Sequence, residues 1–207
     1  MEGVIARWYT QIRSEDQELQ KDVRLVTHRL AAGSRVLEVA PGPGFFAIEL
    51  ARQGSWRVDG LDISGSFVRI ARAKAKEAGL PVEFHQGSAS SMPFQVGTFD
   101  FVVCRAAFKN FSEPIQALCE MHRVLKPGGR ALIIDLRRDA SVEGIHTHID
   151  DLRLGVINRL LTQWTFRWIL LKNAYTAEQI HQMVAQTPFV QCEIRENAIG
   201  MEIWLGN

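Results

Sequence analysis

Val36-Leu37-Glu38-Val39 is an apolar run that passes directly into the loop Ala40-Pro41-Gly42-Pro43-Gly44, after which Phe45 opens a helical pattern. A strand that turns into a helix across so short a loop is the βα turn of an open α/β sheet. Its glycines let the backbone bend sharply and bring a ligand close. Gly42-Pro43-Gly44-Phe45-Phe46-Ala47 formally fits the dinucleotide fingerprint G-x-G-x-x-G/A, a weak signal by itself. A pyrophosphate needs free backbone N–H donors at the start of the helix. Pro41 and Pro43 have none, and Glu38 adds negative charge just upstream. The loop therefore suits a nucleoside-type cofactor without phosphates, preferably a cationic one.

The rest of the chain alternates between strand-like and helix-like patterns. The capping-box pattern Ser14-Glu15-Asp16-Gln17 predicts a helix up to Ala32. Strands are predicted over 35–40, 57–61 (ending at Asp62) and 82–85, with helices over 45–53 and 66–78, the second stopped by Gly79. Phe99 to Cys104 is a near-continuous apolar run, as a central strand covered on both faces requires. Ile115, Leu118, Cys119, His122 and Leu125 follow at helical spacing, and Lys126-Pro127-Gly128-Gly129 breaks that helix before a strand over 130–136. Thr176-Ala177-Glu178-Gln179 caps a further helix. Two strands end the chain, over 189–195 and 198–205, with a hairpin-like turn at Glu196-Asn197 that sets one of them antiparallel. The expectation is an α/β fold: a doubly wound, mostly parallel seven-stranded sheet with one antiparallel strand near the C-terminus and helices on both faces. Residues 1–207 read as one domain, with an N-terminal helical cap over about 1–32. A helical lid is inserted over about 137–173, where Leu154, Ile157, Leu161, Trp164, Trp168 and Leu171 share a helical face.

Composition narrows the function by exclusion. The chain has 207 residues, enough for a full core, and its net charge of +1 gives no bulk case for nucleic acid or acidic membrane. No apolar run approaches the roughly 20 residues of a membrane span, and the N-terminus has no secretory pattern. Three widely spaced cysteines, Cys104, Cys119 and Cys192, predict buried thiols in a reducing cytoplasm rather than a disulfide framework.

Four ordered signals together resemble the class I S-adenosylmethionine-dependent methyltransferases, over roughly Ala32 to Asp135. The loop Glu38 to Gly44 is close to that family's E-x-G-x-G-x-G, with Ala40 at the first glycine. Asp62 stands where the family's acidic residue binds the ribose hydroxyls. Gly87-Ser88-Ala89 with Met92-Pro93-Phe94 is similar to G-D-A-x-x-L-P-F. Phe99 to Val103 is followed by Arg123-Val124-Leu125-Lys126-Pro127-Gly128-Gly129. The resemblance implies a Rossmann-like fold, S-adenosyl-L-methionine as cofactor and S-adenosyl-L-homocysteine as its product. It also implies a cofactor site of Glu38, Ala40, Pro41, Gly42, Gly44, Asp62, Ile63, Ser88, Ala89 and Arg105, with Trp8 and Tyr9 folding over it. Glu38 is expected to order the amino end of the methionine tail and Ile63 to lie on the adenine face. Ser88 replaces the aspartate that accepts from the adenine amino group. Ser64 competes with Asp62 to cap the following helix, and Trp8 and Tyr9 could instead pack on the sheet.

The acceptor should sit beyond the C-terminal strand ends. Arg105-Ala106-Ala107-Phe108-Lys109-Asn110-Phe111 is unusually polar for residues leaving a buried strand, so Arg105 or Lys109 could hold an anionic acceptor. Substrate contacts are expected from Arg105, Phe108, Lys109, Asn110, Trp164 and Arg167. Catalytic roles, if the acceptor must lose a proton, fall to His146, His148 or Lys109. His146-x-His148-x-Asp150-Asp151 reads either as that polar cluster or as the start of a helix with acidic residues near its N-terminus. No metal is assigned. The leading expectation is a cytoplasmic enzyme that methylates a small molecule, with no nucleic-acid or membrane partner. Lys109-Asn110-Phe111 also resembles a segment of quinone-biosynthesis C-methyltransferases. From another class, the chain could be a cofactor-binding regulatory protein without catalysis.

Overall fold

A computed structural model describes residues 17–141 and 173–206. Its centre is made by β1 (Arg35–Val39) and β4 (Phe99–Arg105), which pair in parallel. Successive residues of β1 point to opposite faces. Leu37 and Val39 join Leu61, Val102, Leu118 and Met121 in one core, while Val36 joins Phe46, Leu50, Phe84 and Phe101 in the other. Both faces are therefore buried, which explains why these strands read as unbroken apolar runs.

β2 (Arg57–Asp62) and β3 (Glu83–Gln86) extend the sheet on one side of β1. β5 (Leu125–Leu136), β7 (Gly200–Gly206) and β6 (Gln191–Glu196) extend it beyond β4, giving the order β3-β2-β1-β4-β5-β7-β6. β1 to β5 run parallel, and β7 alone is reversed between β5 and β6, as expected. Asn197 Oδ1 closes that hairpin by accepting from the Ile199 and Gly200 N–H groups at 3.0 and 2.8 Å. Helices α1 (Gln17–Thr27), α2 (Phe45–Gln53) and α3 (Gly65–Glu77) bury their apolar stripes on one face. α4 (Pro114–Val124) and α5 (Ala177–Val184) bury theirs on the other. The winding reverses between β1 and β4, which opens a crevice beyond their carboxyl ends.

Several boundaries differ from expectation. α1 stops at Thr27, whose hydroxyl bonds back to the Arg24 carbonyl at 3.0 Å, and the chain turns through Gly33 at φ 78°. β5 begins at Leu125 rather than at Arg130. Phe99 pairs with Leu125 and Phe101 with Arg130, so Lys126 to Gly129 bulge within the strand instead of preceding it. Phe189 does not start β6; its ring packs on His122 at 5.1 Å. Of the cysteines expected to be buried, Cys104 is, and burial pushes its thiol up; Cys119 and Cys192 are half-buried.

The chain leaves the sheet after β5 and returns beside the same point. The Arg138 N–H donates to the Tyr175 carbonyl at 3.0 Å, and Arg138 Nε donates to the Ala174 carbonyl at 2.7 Å. The lid expected over about 137–173 lies, apart from its two ends, outside the described residues. No helix among the described residues is long and apolar enough to cross a membrane.

Candidate active site

The glycine loop holds three left-handed residues in alternation: Ala40 (φ 57°), Gly42 (φ 55°) and Gly44 (φ 79°). A Cβ on Gly44 would stand 2.7 Å from Phe84 Cζ and 2.9 Å from Ala71 Cβ. Glycine is thus required for α2 to start so close to α3 and β3. The loop spends its donors internally. Ala40 N–H goes to the Leu61 carbonyl at 2.7 Å and Gly44 N–H to the Pro41 carbonyl at 3.0 Å. Gly42 N–H goes to Asp62 Oδ2 at 2.9 Å, and Ala47 N–H to Glu38 Oε2 at 3.0 Å. Two prolines complete a loop whose N–H groups are spent inside the protein, with the buried Glu38 and Asp62 carboxyl groups among their acceptors, a poor setting for a pyrophosphate.

Ala40 carries a side chain in a conformation that costs an L-residue about 1–2 kcal/mol. Ala40→Gly is therefore expected to stabilise the fold by about 1 kcal/mol, after allowing for the greater freedom of unfolded glycine. Thermal unfolding checks this through a rise of roughly 2–4 °C in Tm.

Asp62 ties β2 to this loop. Its Oδ1 accepts the Ser64 N–H at 2.8 Å while Oδ2 holds Gly42. Ser64 is the N-cap of α3, its hydroxyl accepting the Phe67 N–H at 3.3 Å. Glu38 is buried under the start of α2. Burial pushes its carboxyl up to about 8, against the pull of the Arg105 charge and the Ala47 N–H, with Asp62 adding to the rise. Arg105 does not stand open to a ligand: its Nε donates to Asp22 Oδ2 of α1 at 2.6 Å, and its guanidinium lies 5.4 Å from the Phe46 ring. Burial raises the Asp22 carboxyl, and the Arg105 charge opposes that rise. Asp22 was missed in the sequence because 83 residues separate it from Arg105.

A partly open cleft of about 110 Å³ lies beside the loop. Ala40, Ile63, Ser88, Ala89 and Asn110, all singled out in the sequence, line it together, whereas Asp62, Pro41, Gly42 and Gly44 are not among its lining residues. Ile63 is 73% exposed, an apolar side chain left uncovered at the rim. Phe111, from the same polar segment as Asn110, lines it too, as do Ser90, Ser112 and Glu113, which were not anticipated. Glu113 had a weak signal, an acidic residue directly before the Pro114 that starts α4.

Two residues expected to face an acceptor turn inward. Phe108 is 1% exposed and packs against Phe111 and Tyr175, with ring centroids 5.5 and 5.9 Å away. Lys109 Nζ donates to Asp135 Oδ1 at 2.6 Å and to the Ala106 carbonyl at 2.9 Å, with both side chains of the pair only 6% and 5% exposed. The apolar environment forces this ammonium to find its counter-charge inside the protein. Tyr9, His146, His148, Trp164 and Arg167 lie outside the described residues. Asp59, Glu83 and His85 bring ligand-type atoms within 4.8 Å of one another across β2 and β3. There Arg35 donates to both Asp59 oxygens at 3.0 and 3.4 Å, and His85 contacts Asp59 at 3.1 Å, so the cluster is an ion-pair network.

A methyltransferase-domain family model matches residues 37–133, spanning β1, the glycine loop, Asp62 and the cleft. Over those residues the chain is similar to the class I S-adenosylmethionine-dependent methyltransferases. It is 41% identical over 108 residues to a demethylmenaquinone methyltransferase of Deinococcus radiodurans, covering 52% of this chain and 45% of the relative. A demethylmenaquinone methyltransferase of Chlorobaculum parvum is 33% identical over 159 residues, covering 76% of this chain and 64% of the relative. The chain thus spans about half to two thirds of the length of these relatives. In structure it is similar to a SAM-dependent methyltransferase from Aquifex aeolicus, with a TM-score of 0.69, 21% identity, and 89% and 88% of the two chains covered. It is also similar to the [4+2]-cyclase SpnF, with a TM-score of 0.65, 27% identity, and 84% and 58% covered. The family's cofactor is S-adenosylmethionine, and the carboxylate-flanked loop of this chain fits it.

Proposed function

We propose that this chain binds S-adenosylmethionine at the loop and cleft and transfers its methyl group to a small-molecule acceptor. The observation that carries the reading is the loop itself, with its N–H groups spent internally and the Glu38 and Asp62 carboxylates flanking it. When bound, the cofactor supplies an activated methyl carbon, whose bond to sulfur breaks with the electron pair left on sulfur. The protein's part is then to position and to exclude water. Asp62 holds the ribose, Ile63 covers the base, and Glu38 sits under the methionine tail. Arg105, locked to Asp22, shapes the tail's seat from below. By sequence, the acceptor side falls to the cap and lid segments with His146, His148, Trp164 and Arg167. The setting is cytoplasmic and needs neither nucleic acid nor membrane.

A second reading makes the acceptor a quinone precursor methylated at carbon; the likeness to demethylmenaquinone methyltransferases and the Lys109-Asn110-Phe111 segment favour it. The likeness to a cyclase keeps a third reading in view, cofactor binding without methyl transfer. Calorimetry with S-adenosylhomocysteine tests the shared premise, and no binding at millimolar ligand would overturn all three. Formation of S-adenosylhomocysteine from S-adenosylmethionine across a metabolite panel that includes demethylated quinones separates them.

Glu38 gives the site a pH signature. Its carboxyl is neutral in the ligand-free fold until about pH 8, whereas a cationic ligand favours the carboxylate, so binding below that pH releases a proton. Affinity for S-adenosylmethionine is expected to rise with pH by up to about tenfold per unit from pH 6 to 8 and then level off. Fold stability without ligand runs the other way. The contribution of a raised carboxyl is complete below its ordinary value of 4.5 and is lost as pH rises toward 8. Calorimetry in buffers of different ionisation heat measures the released proton, and Glu38→Gln should abolish it.

A further inference from the structure

One wall of the cleft is a chain of three polar side chains. Ser90 Oγ donates to Glu113 Oε2 at 2.8 Å. A hydroxyl has a single hydrogen. At the 2.9 Å contact between the two hydroxyls, Ser90 Oγ must therefore accept and Ser88 Oγ must donate. Ser88 Oγ also accepts the Ser90 N–H at 3.2 Å. Its hydrogen is committed and, among the described residues, one lone pair is left. Ser88 thus meets the cleft as an acceptor only. Glu113 stands at the N-cap of α4 but makes no side-chain cap bond to its own helix; it reaches across to Ser90 instead.

We propose that Ser88, Ser90 and Glu113 form a relay that selects a purine bearing an exocyclic amino group over one bearing a carbonyl at the same place. The inference rests on the reading that this cleft holds the adenosine end of the cofactor. An amino N–H donates to Ser88 Oγ, whereas a carbonyl oxygen would face its lone pair. A serine is a weaker acceptor than a carboxylate. The Glu113 charge makes up part of the difference, because each hydroxyl in the chain polarises the next. Glu113 is a positioning residue: it acts on the base through Ser90 and Ser88.

The test compares calorimetric affinities of the full chain for S-adenosylhomocysteine and its hypoxanthine counterpart, S-inosylhomocysteine. The unaltered protein is expected to favour the adenine ligand by about tenfold, the scale of one hydrogen bond with some charge assistance. Glu113→Ala frees the Ser90 hydrogen to bond Ser88, which can then turn its own hydrogen to the cleft, so the ratio should fall toward one. Glu113→Gln keeps an acceptor without charge and should retain part of the preference. Ser88→Asp places the charge at the wall directly and should restore the preference in the Glu113→Ala background. Because both affinities come from one protein, a general loss of stability does not move the ratio. If Glu113→Ala and Ser90→Ala bind S-adenosylhomocysteine with the preference unchanged, the relay is overturned while the cofactor assignment stands. If the unaltered protein binds no S-adenosylhomocysteine, the cofactor assignment fails and the relay fails with it.

Discussion

Lys109→Ala is expected to destabilise the protein by about 3–5 kcal/mol, because it strands the Asp135 carboxylate without its counter-charge. The pair lies almost wholly out of solvent, so little screening reduces that cost. Asp135 also accepts the Lys109 N–H at 3.0 Å through Oδ2 and the Leu136 N–H at 2.8 Å through Oδ1, which keeps the charge where it is. Denaturant titration should show the loss, and a thermal midpoint lower by roughly 10 °C should accompany it. Replacing both partners with apolar residues of similar size, as in K109M/D135L, should recover most of the stability. The double variant also isolates the chemical question. If it folds and still turns over S-adenosylmethionine, Lys109 serves architecture; if it folds and binds cofactor but transfers no methyl group, the ammonium has a direct part in the reaction.

Asp62→Ala is expected to weaken S-adenosylhomocysteine binding by at least about a hundredfold, since charge-assisted hydrogen bonds contribute about 1.5–3 kcal/mol each. Two effects combine. The ribose loses its carboxylate partner, and the Gly42 and Ser64 N–H groups lose the oxygens that hold the loop against β2. Asp62→Asn separates them, because its remaining carbonyl oxygen can keep one backbone bond while the charge is gone. Calorimetry that found Asp62→Ala unchanged in affinity would remove the residue from the ribose site.

The loop and cleft proposed for the cofactor were legible because they are local. Ala40, Gly42, Gly44, Asp62, Ile63, Ser88 and Ala89 sit at or just after the ends of three neighbouring strands, so the order of strands along the chain already brings them together. Prolines disfavour a pyrophosphate by residue type alone, because they lack an N–H, and the internal bonding of Ala40, Gly42, Gly44 and Ala47 removes further donors. The acceptor side was not legible in the same way. Arg105 and Lys109 read as exposed cations because they follow a buried strand, yet each is claimed by a carboxylate far away in sequence: Asp22 at 83 residues and Asp135 at 26. Glu113 escaped notice for the same reason, since its partner Ser90 belongs to a different loop.

The alternation of strands and helices, the reversed strand near the C-terminus and the nature of the glycine loop all follow from local rules of periodicity, turn chemistry and missing N–H groups. Which charges are open to a ligand does not. An ion pair or a hydroxyl relay depends on where separate segments meet, and whether a charged side chain is spent or available depends on burial that no local pattern encodes.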